Sequence, residues 1–579
     1  MLHSQLESCL RECVQDLLPD ADLSQVILLP CRDTRFGDYQ TSSLIALAKQ
    51  RKLNPRQLAS SVLEKLSLER LHIKAELAGP GFINFHILPQ AITENIAAAC
   101  QSETPFVRRA KVSQTVVLDF SSPNIAKPMH VGHIRSTVLG SCLARLHRLI
   151  GNNVISDNHI GDWGTQFGKL LLGWKNHLDK VALEKDPIGE MERLYKLVNA
   201  ATEADETVLE EARAELVKLQ RGDPENFGIW QQMVKLSQSQ FDTLYSRLGV
   251  AFDYTLGESF YNDRLKGVVD DLVAKGIARE SEGAYVVFFD DKPELAPHPA
   301  IVQKRDGAFN YASTDLATLE YRTQNWKPDQ ILYITDGRQQ LHFKQIFTTF
   351  NRWKGNTHVK LVHVWFGTIL GNDGKPFKTR SGEVIKLADL LNEAEERALS
   401  VVSEKNPDLP EETRRNIARV VGLGAVKYAD LLPSRQSDYQ FSWDKMLAFN
   451  GNTAPYLLYA YARIRSIFRK NQDEFSSSFK PESIEDKDLL FSTPQELSLA
   501  KHLFSFGITL EQVAEDSRPN ILCNYLYDLA GLFASFYENC PVLKAIGSEK
   551  TSRLALCHLT AKVLQMGLHT LGLETLEEM

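Results

Sequence analysis

Apolar positions along the chain change period at identifiable points, and each change marks an element. Val116 to Leu118 is a short continuous apolar run, the pattern of a buried strand. A polar, proline-broken loop follows, and then Val131, Ile134, Val138, Cys142, Leu146 and Leu149 recur at the 3.6-residue period of a helix with one buried face. Gly151 supplies a stop, and Asn153 to Ile160 starts a second strand-like segment. Strand, polar loop, helix, strand is the first turn of a doubly wound α/β sheet, where ligands sit beyond the strand ends and anions meet a helix N-terminus.

Ahead of this stretch, residues 1–110 read as a separate α+β unit. Asn54-Pro55 is an N-cap followed by an N1 proline, with Leu58, Val62, Leu63 and Leu66 as the apolar face. Ile73 to Leu77 alternates, and Gly79-Pro80-Gly81 turns into Phe82 to Phe85, a strand pair. Behind it, a block at about 170–277 rich in Glu, Lys, Leu and Ala reads as a helical insertion with solvated charge runs. Ala284 to Phe289 and Ile331 to Ile334 are then expected to resume the sheet. Residues 371–445 are a Gly-containing polar loop and more helix; 446–579 are helical, with Tyr456, Tyr459, Ala460, Ile464, Ile467 and Phe468 on one face beside Arg463, Arg465, Arg469 and Lys470. The expected architecture is a doubly wound, Rossmann-type domain over 111–370, an α+β domain before it and an all-α bundle after it.

Length and composition add bounds. A chain of 579 residues holds three or four domains, and 43% hydrophobic with 24% charged residues is an ordinary globular balance. There is no eighteen-residue apolar run and no charged-then-apolar leader, so a cytoplasmic location with no membrane contact is expected. The eight cysteines form no CxxC pair and no zinc spacing, which suits buried free thiols and gives no metal site. The net charge of −7 gives nucleic-acid binding no support. It does not exclude it, because phosphate contact needs only a local basic stripe.

Candidate chemistry begins at the start of the predicted helix, with His130-Val131-Gly132-His133. Two imidazoles three apart can donate to phosphate oxygens, and the glycine removes a side chain between them and a flat ring. A surface histidine pair or half of a metal site would look the same. Tyr311 and Asp315 stand four apart, on one face of a helix, and Gln339 and His342 follow the strand at 331–334. Asp119 ends the first strand, where a lone Asp is more often a cap or turn residue, and spacing alone identifies neither it nor Asp315 as a ligand-binding acid. Lys375, Lys378 and Arg380 lie in a Gly-containing loop suited to a triphosphate or, equally, to an exposed turn. Phe82 and Asn84 can stack on and read an unpaired base, or be a packed ring and a turn amide. A basic helix rim bearing aromatics suits either a bundle or single-stranded RNA.

Three longer words decide between these readings. SSPNIAKPMHVGH, then NHIGDWGTQFG at 158–168, then GKPFKTRSGEVIKLADLL at 374–391 resemble the class I aminoacyl-tRNA synthetases, and among them the arginyl-tRNA synthetases, over the length of the chain. The resemblance implies ATP-dependent activation of L-arginine to an adenylate and its transfer to the terminal adenosine of tRNA(Arg), with Mg2+ accompanying ATP as substrate, in a monomer. It implies that His130, Gly132, His133, Lys375 and Lys378 bind ATP, and that His130, His133, Lys127, Lys378 and Arg380 act in catalysis. Arg380 stands where the class I loop carries its second lysine, and Lys127 is the residue that compensates in the family. Asp119, Ser121, Asn124, His133, Tyr311, Asp315 and Gln339 (Gln340 if the register slips by one) fall on arginine-binding positions. Phe82 and Asn84 match the tRNA-corner positions of the N-terminal domain, and Tyr459, Arg463 and Met579 those of the helical anticodon-binding domain. A site built to pair a guanidinium rejects smaller apolar analogues, so no editing module is expected. A small-molecule nucleotidylyltransferase would need neither terminal domain; a catalytically dead RNA-binding paralogue would not need the intact histidines; a synthetase for another amino acid would not need Asp119 with Asp315.

Overall fold

The structure, a computed structural model, describes residues 2–31, 33–355, 357–371, 373–377, 384–475 and 479–579. The N-terminal domain opens with α1 (Leu2–Leu17), β1 (Leu29–Pro30), β2 (Tyr39–Thr41) and α2 (Ser43–Gln50). It continues with α3 (Pro55–Lys65), β3 (Ile73–Ala78), β4 (Phe82–Ile87) and α4 (Pro89–Cys100). Asn54 caps α3 by accepting from the amides of Arg56 and Gln57, which is how a short side-chain oxygen starts a helix whose first residue is proline. The four strands form an antiparallel sheet in the order β1-β2-β4-β3. Ile83, Phe85 and Ile87 point into its core.

The central domain is built on β5 (Thr115–Asp119), α5 (Val131–Leu149) and β6 (Asn153–Asp157). The apolar run made β5 because Val116, Val117 and Leu118 are all fully buried, each worth about 1.5–3 kcal/mol of apolar burial. Five helices follow: α6 (Gln166–His177), α7 (Lys180–Lys185), α8 (Pro187–Ala204), α9 (Glu206–Gln220) and α10 (Pro224–Leu248). Then come α11 (Asn262–Ala274), β7 (Ala278–Ser281), β8 (Ala284–Val287), β9 (Ala300–Gln303) and α12 (Tyr311–Asn325). The parallel sheet is completed by β10 (Gln330–Tyr333), α13 (Gln340–Lys354) and β11 (Lys360–His363), in the order β11-β10-β5-β6. One expectation is corrected here. The segment at 284–289 does not rejoin the parallel sheet; β8 pairs antiparallel with β7 and β9 in a separate small sheet, because an apolar run does not specify its partner.

Beyond the sheet lie β12 (Ile369–Leu370), α14 (Leu387–Lys405), α15 (Glu411–Leu431), β13 (Tyr439–Gln440) and α16 (Trp443–Met446), with β12 and β13 paired in parallel. The C-terminal bundle is α17 (Ala454–Phe475), α18 (Pro494–Phe504), α19 (Phe506–Asp516), α20 (Asn520–Asn539) and α21 (Gly547–Thr570). The α/β domain with an α+β domain before it and an all-α domain after it is the expected fold class. The outer domains also touch: Lys501 on α18 pairs with Asp38 at 2.8 Å, and Lys562 on α21 donates to the Ser102 carbonyl at 3.0 Å.

Candidate active site

The site lies where β5 ends, and its floor is a strained loop. Ser121, Ser122 and Ala126 all have positive φ, at 74°, 48° and 61°, a conformation that costs a non-glycine residue about 1–3 kcal/mol and persists only when its surroundings impose it. Here each of the three amides donates to a side chain: Ser121 to Ser136 Oγ at 2.8 Å, Ser122 to Asn158 Oδ1 at 3.0 Å, Ala126 to Ser237 Oγ at 3.0 Å. The loop is thereby set before any ligand arrives.

His130 is the N-cap of α5, so the two histidines meet across the helix start and do not share a helical face. The His130 Nδ1 accepts from the Gly132 amide at 3.1 Å, and the His133 Nδ1 accepts from the His130 amide at 3.1 Å. The rings lie 4.0 Å apart between centroids. Burial, then the nearby Lys127 charge, lowers the pKa of His130. Burial, with His130 beside it, pulls His133 down to about 3. Both rings are therefore neutral at neutral pH with Nδ1 as acceptor, which puts the proton on Nε2 and makes Nε2 the donor of each. A Cβ at position 132 would meet the His130 ring at 2.9 Å, so any larger residue there would displace that ring. The backbone of this corner is also fastened to the far end of the basic loop: the Val131 amide donates to Ile385, and Leu387 to the Met129 carbonyl, both at 2.9 Å.

Of the expected arginine-binding residues, Asp315 is partly buried, with His342 Nε2 2.5 Å from its Oδ2, and the exposed Tyr311 ring stands edge-on to His342 at 4.9 Å. Gln339 is exposed at the start of α13, and Gln340 is its more covered neighbour. Asn124 is exposed and pairs by backbone bridge with Gly161. Two of the set are turned away from a ligand. The Ser121 hydroxyl is buried against Thr137 and Tyr245, both at 2.8 Å, and it is Ser122 whose Oγ donates to Asp119 at 3.2 Å. Asp119 is itself buried, with Oδ2 accepting from Arg322 at 2.7 Å; the same NH2 also reaches Asp157 at 2.8 Å. Asp119, Asp157 and Tyr333 are register partners on three adjacent strands, so an internal guanidinium lies across the ends of the sheet.

Sequence reasoning missed Arg322, Asp157 and Glu258. Arg322 had a signal: Tyr311, Asp315, Thr318 and Arg322 form a polar stripe at helical spacing along α12. Glu258 had none. Burial pushes its carboxyl up to about 7, with His159 opposing and Asp315 and Asp162 adding to the rise. A carboxylate held near neutrality beside a second acid is a place that favours an incoming cation.

Lys127 is exposed, its Nζ 5.4 Å from the Tyr195 ring centroid, and Lys375 is exposed on the near arm of the basic loop. Lys378 and Arg380 lie outside the described residues. In the N-terminal domain Phe82 is half-buried, whereas Asn84 is 1% exposed and accepts from Gln40 Nε2 at 2.7 Å, so Gln40 is the more accessible amide of that pair. On α17, Leu457, Leu458, Tyr461 and Ile464 form the buried face, and Tyr459 and Arg463 are exposed. The Arg463 guanidinium lies 4.8 Å from the Tyr537 ring centroid. Met579 packs half-buried against the core. No described helix is long and apolar enough to cross a membrane, and among the described residues no group of three His, Cys, Asp or Glu is arranged to hold a metal ion.

A histidine-capped helix following the first strand of a parallel sheet, joined to a helical C-terminal domain, defines a class I aminoacyl-tRNA synthetase. Residues 95–443 match the family of tRNA synthetases class I (R), catalytic domain; residues 457–579 match the DALR anticodon binding domain, and 4–87 the arginyl tRNA synthetase N terminal domain. The arginine–tRNA ligase of Laribacter hongkongensis is 44% identical over 100% of this chain and 99% of its own, and that of Azotobacter vinelandii 47% identical over 95% and 94%. The Plasmodium falciparum arginyl-tRNA synthetase superposes with a TM-score of 0.83 at 28% identity, covering 100% of this chain and 99% of that one. The Thermus thermophilus arginyl-tRNA synthetase shares the fold, with a TM-score of 0.82 at 23% identity over 100% of both chains. The chain belongs to the arginyl-tRNA synthetase family.

Proposed function

We propose that this arginine–tRNA ligase works in two steps on the site described above. The carboxylate of L-arginine attacks the α-phosphate of ATP, the bond to the β-phosphate breaks, and pyrophosphate leaves an arginyl-adenylate. The 2′-hydroxyl of the terminal adenosine of tRNA(Arg) then attacks the mixed anhydride and AMP departs. There is little covalent work for side chains, so catalysis is positioning and stabilisation of phosphate charge.

The observation that carries this reading is the pair of neutral histidines whose Nδ1 atoms are occupied by backbone amides. Their Nε2–H groups are fixed donors that need no reorganisation as charge develops on phosphate. His130 and His133 hold the phosphates, Gly132 keeps the ring of His130 flush with the backbone, and Lys127 with Lys375, Lys378 and Arg380 receives the pyrophosphate. Mg2+ enters as part of the ATP substrate, on its phosphate oxygens. Asp315 and Glu258 take the guanidinium, Tyr311, Asn124, Gln339 and Ser122 frame the rest of the amino acid, and Asp119 acts from behind through its bond to Ser122. Phe82, with Asn84 held by Gln40, meets the outer corner of the tRNA; Tyr459, Arg463 and Met579 meet the anticodon. The loop's departure at Arg380 leaves activation incomplete until RNA orders the site, so adenylate formation depends on tRNA. The enzyme acts as a cytoplasmic monomer.

Arginine-dependent ATP–pyrophosphate exchange, with and without tRNA(Arg) and with lysine and citrulline as controls, tests this. Exchange with arginine alone among the three, and only when tRNA is present, is the expected result. Exchange without tRNA would keep the activity and remove the RNA dependence. No exchange with tRNA still bound would identify a catalytically dead paralogue.

A further inference from the structure

Two residues past His133, Arg135 turns away from the nucleotide side of α5 and is buried in the seam between α5 and α15. Its Nε lies 3.0 Å from Asp430 Oδ1 at the end of α15, and both side chains are 3% exposed. The N–H does not point squarely at the carboxylate, so the contact is an ion pair more than an aligned hydrogen bond. The same guanidinium donates to the carbonyl oxygens of Gly367 at 2.8 Å and Ser437 at 3.3 Å. It also lies 5.6 Å from the Phe366 ring and 5.1 Å from the Tyr439 ring, and the Tyr439 hydroxyl hydrogen-bonds Asp430. One side chain of the histidine helix thus holds α15 and both approaches to the β12–β13 pair.

Helix α15 carries that contact outward. It packs on α17, the helix bearing Tyr459 and Arg463. Lys427, one turn before Asp430, donates to the Gly572 carbonyl at 2.8 Å, and Arg419 grips Glu574 through two bonds of 2.8 Å. Helix α15 is therefore tied by separate polar contacts to the histidine helix at Asp430 and to the C-terminal tail at Lys427 and Arg419. Stability alone does not call for a buried ion pair, since an apolar pair of similar volume often serves as well.

We propose that Arg135 is a positioning residue, and that its pairing with Asp430 is the contact through which RNA held on the C-terminal helices sets the orientation of His130 and His133. The inference rests on the reading above in which tRNA promotes activation. Arg135 touches no substrate; it fixes the rotation and depth of α5 relative to α15, and with them the Nε2 donors at the helix start.

The test uses full-length protein carrying Asp430→Asn, Arg135→Lys, or Arg135→Met with Asp430→Leu, which replaces the pair by apolar volume. Each is compared with the parent for thermal unfolding, tRNA(Arg) binding, and arginine-dependent exchange with and without tRNA. The double variant should fold, with the modest loss of stability that goes with the bonds to Gly367 and Ser437, and bind tRNA with unchanged affinity, while its exchange rate at saturating tRNA falls by about tenfold, the size expected for a broken coupling contact. KM for tRNA should stay put as kcat falls, and Arg135→Lys should recover part of the loss. A double variant stimulated by tRNA as fully as the parent would make the pair packing only and overturn the inference. Should the double variant not fold, the nearly isosteric Asp430→Asn decides by the same comparison: full stimulation by tRNA overturns the inference, and a tenfold loss supports it. A parent that exchanges equally well without tRNA overturns the inference and leaves the ligase reading standing. A parent with no arginine-dependent exchange even with tRNA overturns both.

Discussion

The backbone amide of His130 donates to the ring Nδ1 of His133 across 3.1 Å, while the ring of His130 accepts from Gly132 at the same distance. The helix start is thus capped by the two side chains proposed to hold the phosphates, and the capping decides which nitrogen of each ring carries the proton. Cap and proposed phosphate donor are different nitrogens of the same rings, and amide substitutions can separate them.

Asparagine at 133 keeps an acceptor near the Nδ1 position and loses the Nε2 donor; glutamine does the reverse. His133→Asn should cut kcat by about a hundredfold, the usual cost of one phosphate-stabilising donor, while unfolding shifts by less than about 1 kcal/mol, because the cap survives. His133→Gln should retain more of the rate and lose more of the stability. Steady-state exchange and urea unfolding of both variants check the pair of outcomes.

The lowered histidine pKa values also fix a stability slope. His133 titrates near 3 in the folded chain against 6.5 unfolded, so between those values the unfolded state binds more protons, and stability falls as the pH is lowered through that window. His130, lowered in the same direction, adds to it. His133→Asn removes one ionisation, and its unfolding free energy should therefore depend less steeply on pH between about 6.5 and 3 than the parent's. An unchanged slope in pH-resolved urea titrations would show that His133 does not contribute.

Glu258 runs the other way. Its folded pKa is raised to about 7, chiefly by burial, so above the carboxylate's ordinary value the folded state holds the extra proton and stability is lost as pH rises toward 7. In the proposed site an arginine guanidinium compensates that charge. KM for arginine should fall as pH rises through about 7, and Glu258→Gln should abolish this dependence, raise KM above about pH 7 while leaving it little changed below, and make the protein more stable than the parent at pH about 8. Arginine KM and unfolding midpoints across pH measure both arms.

Arg322 has no exposed atom and bridges Asp119 and Asp157. Arg322→Met leaves two buried carboxylates side by side on adjacent strands and should cost about 3–5 kcal/mol in unfolding free energy, the range for breaking a buried pair. Arg322→Lys should recover only part of this, because a compact ammonium costs more to desolvate and gives up the guanidinium's place 5.4 Å from the Tyr333 ring centroid.

This triad also marks where reading the sequence stops. The Asn54 cap, the buried run of β5 and the period of α5 are local, and local chemistry announces them. Asp119 and Arg322 are 203 residues apart, and nothing near Asp119 says that its carboxylate is already engaged. Ser121 and Ser122 fail for a different reason: two successive positive φ values break the alternation that an extended chain would give, so the hydroxyl facing Asp119 belongs to the second serine. Asn84 was legible as a strand residue, but the Gln40 amide that holds it comes from another strand. At 284–289 composition gave a strand and could not give its partners.

Gly161 gives a last case in which the cause is space and not backbone conformation. A Cβ there would sit 2.1 Å from the Asn124 Oδ1, while the backbone of Gly161 exchanges hydrogen bonds with Pro123 and Ile125 on either side of Asn124, both at 3.0 Å. The obstructing atom is the end of a side chain free to swing outward, so Gly161→Ala should leave the unfolding midpoint nearly unchanged. In the proposed site the displaced Asn124 amide no longer reaches the amino acid, and losing one hydrogen bond to a charged ligand should raise KM for arginine by about tenfold or more, with KM for ATP unaffected. Asn124→Ala should do the same, and the double variant should be no worse than either alone, since both remove one contact. Additive losses in KM would mean that Gly161 shapes the pocket through something other than Asn124.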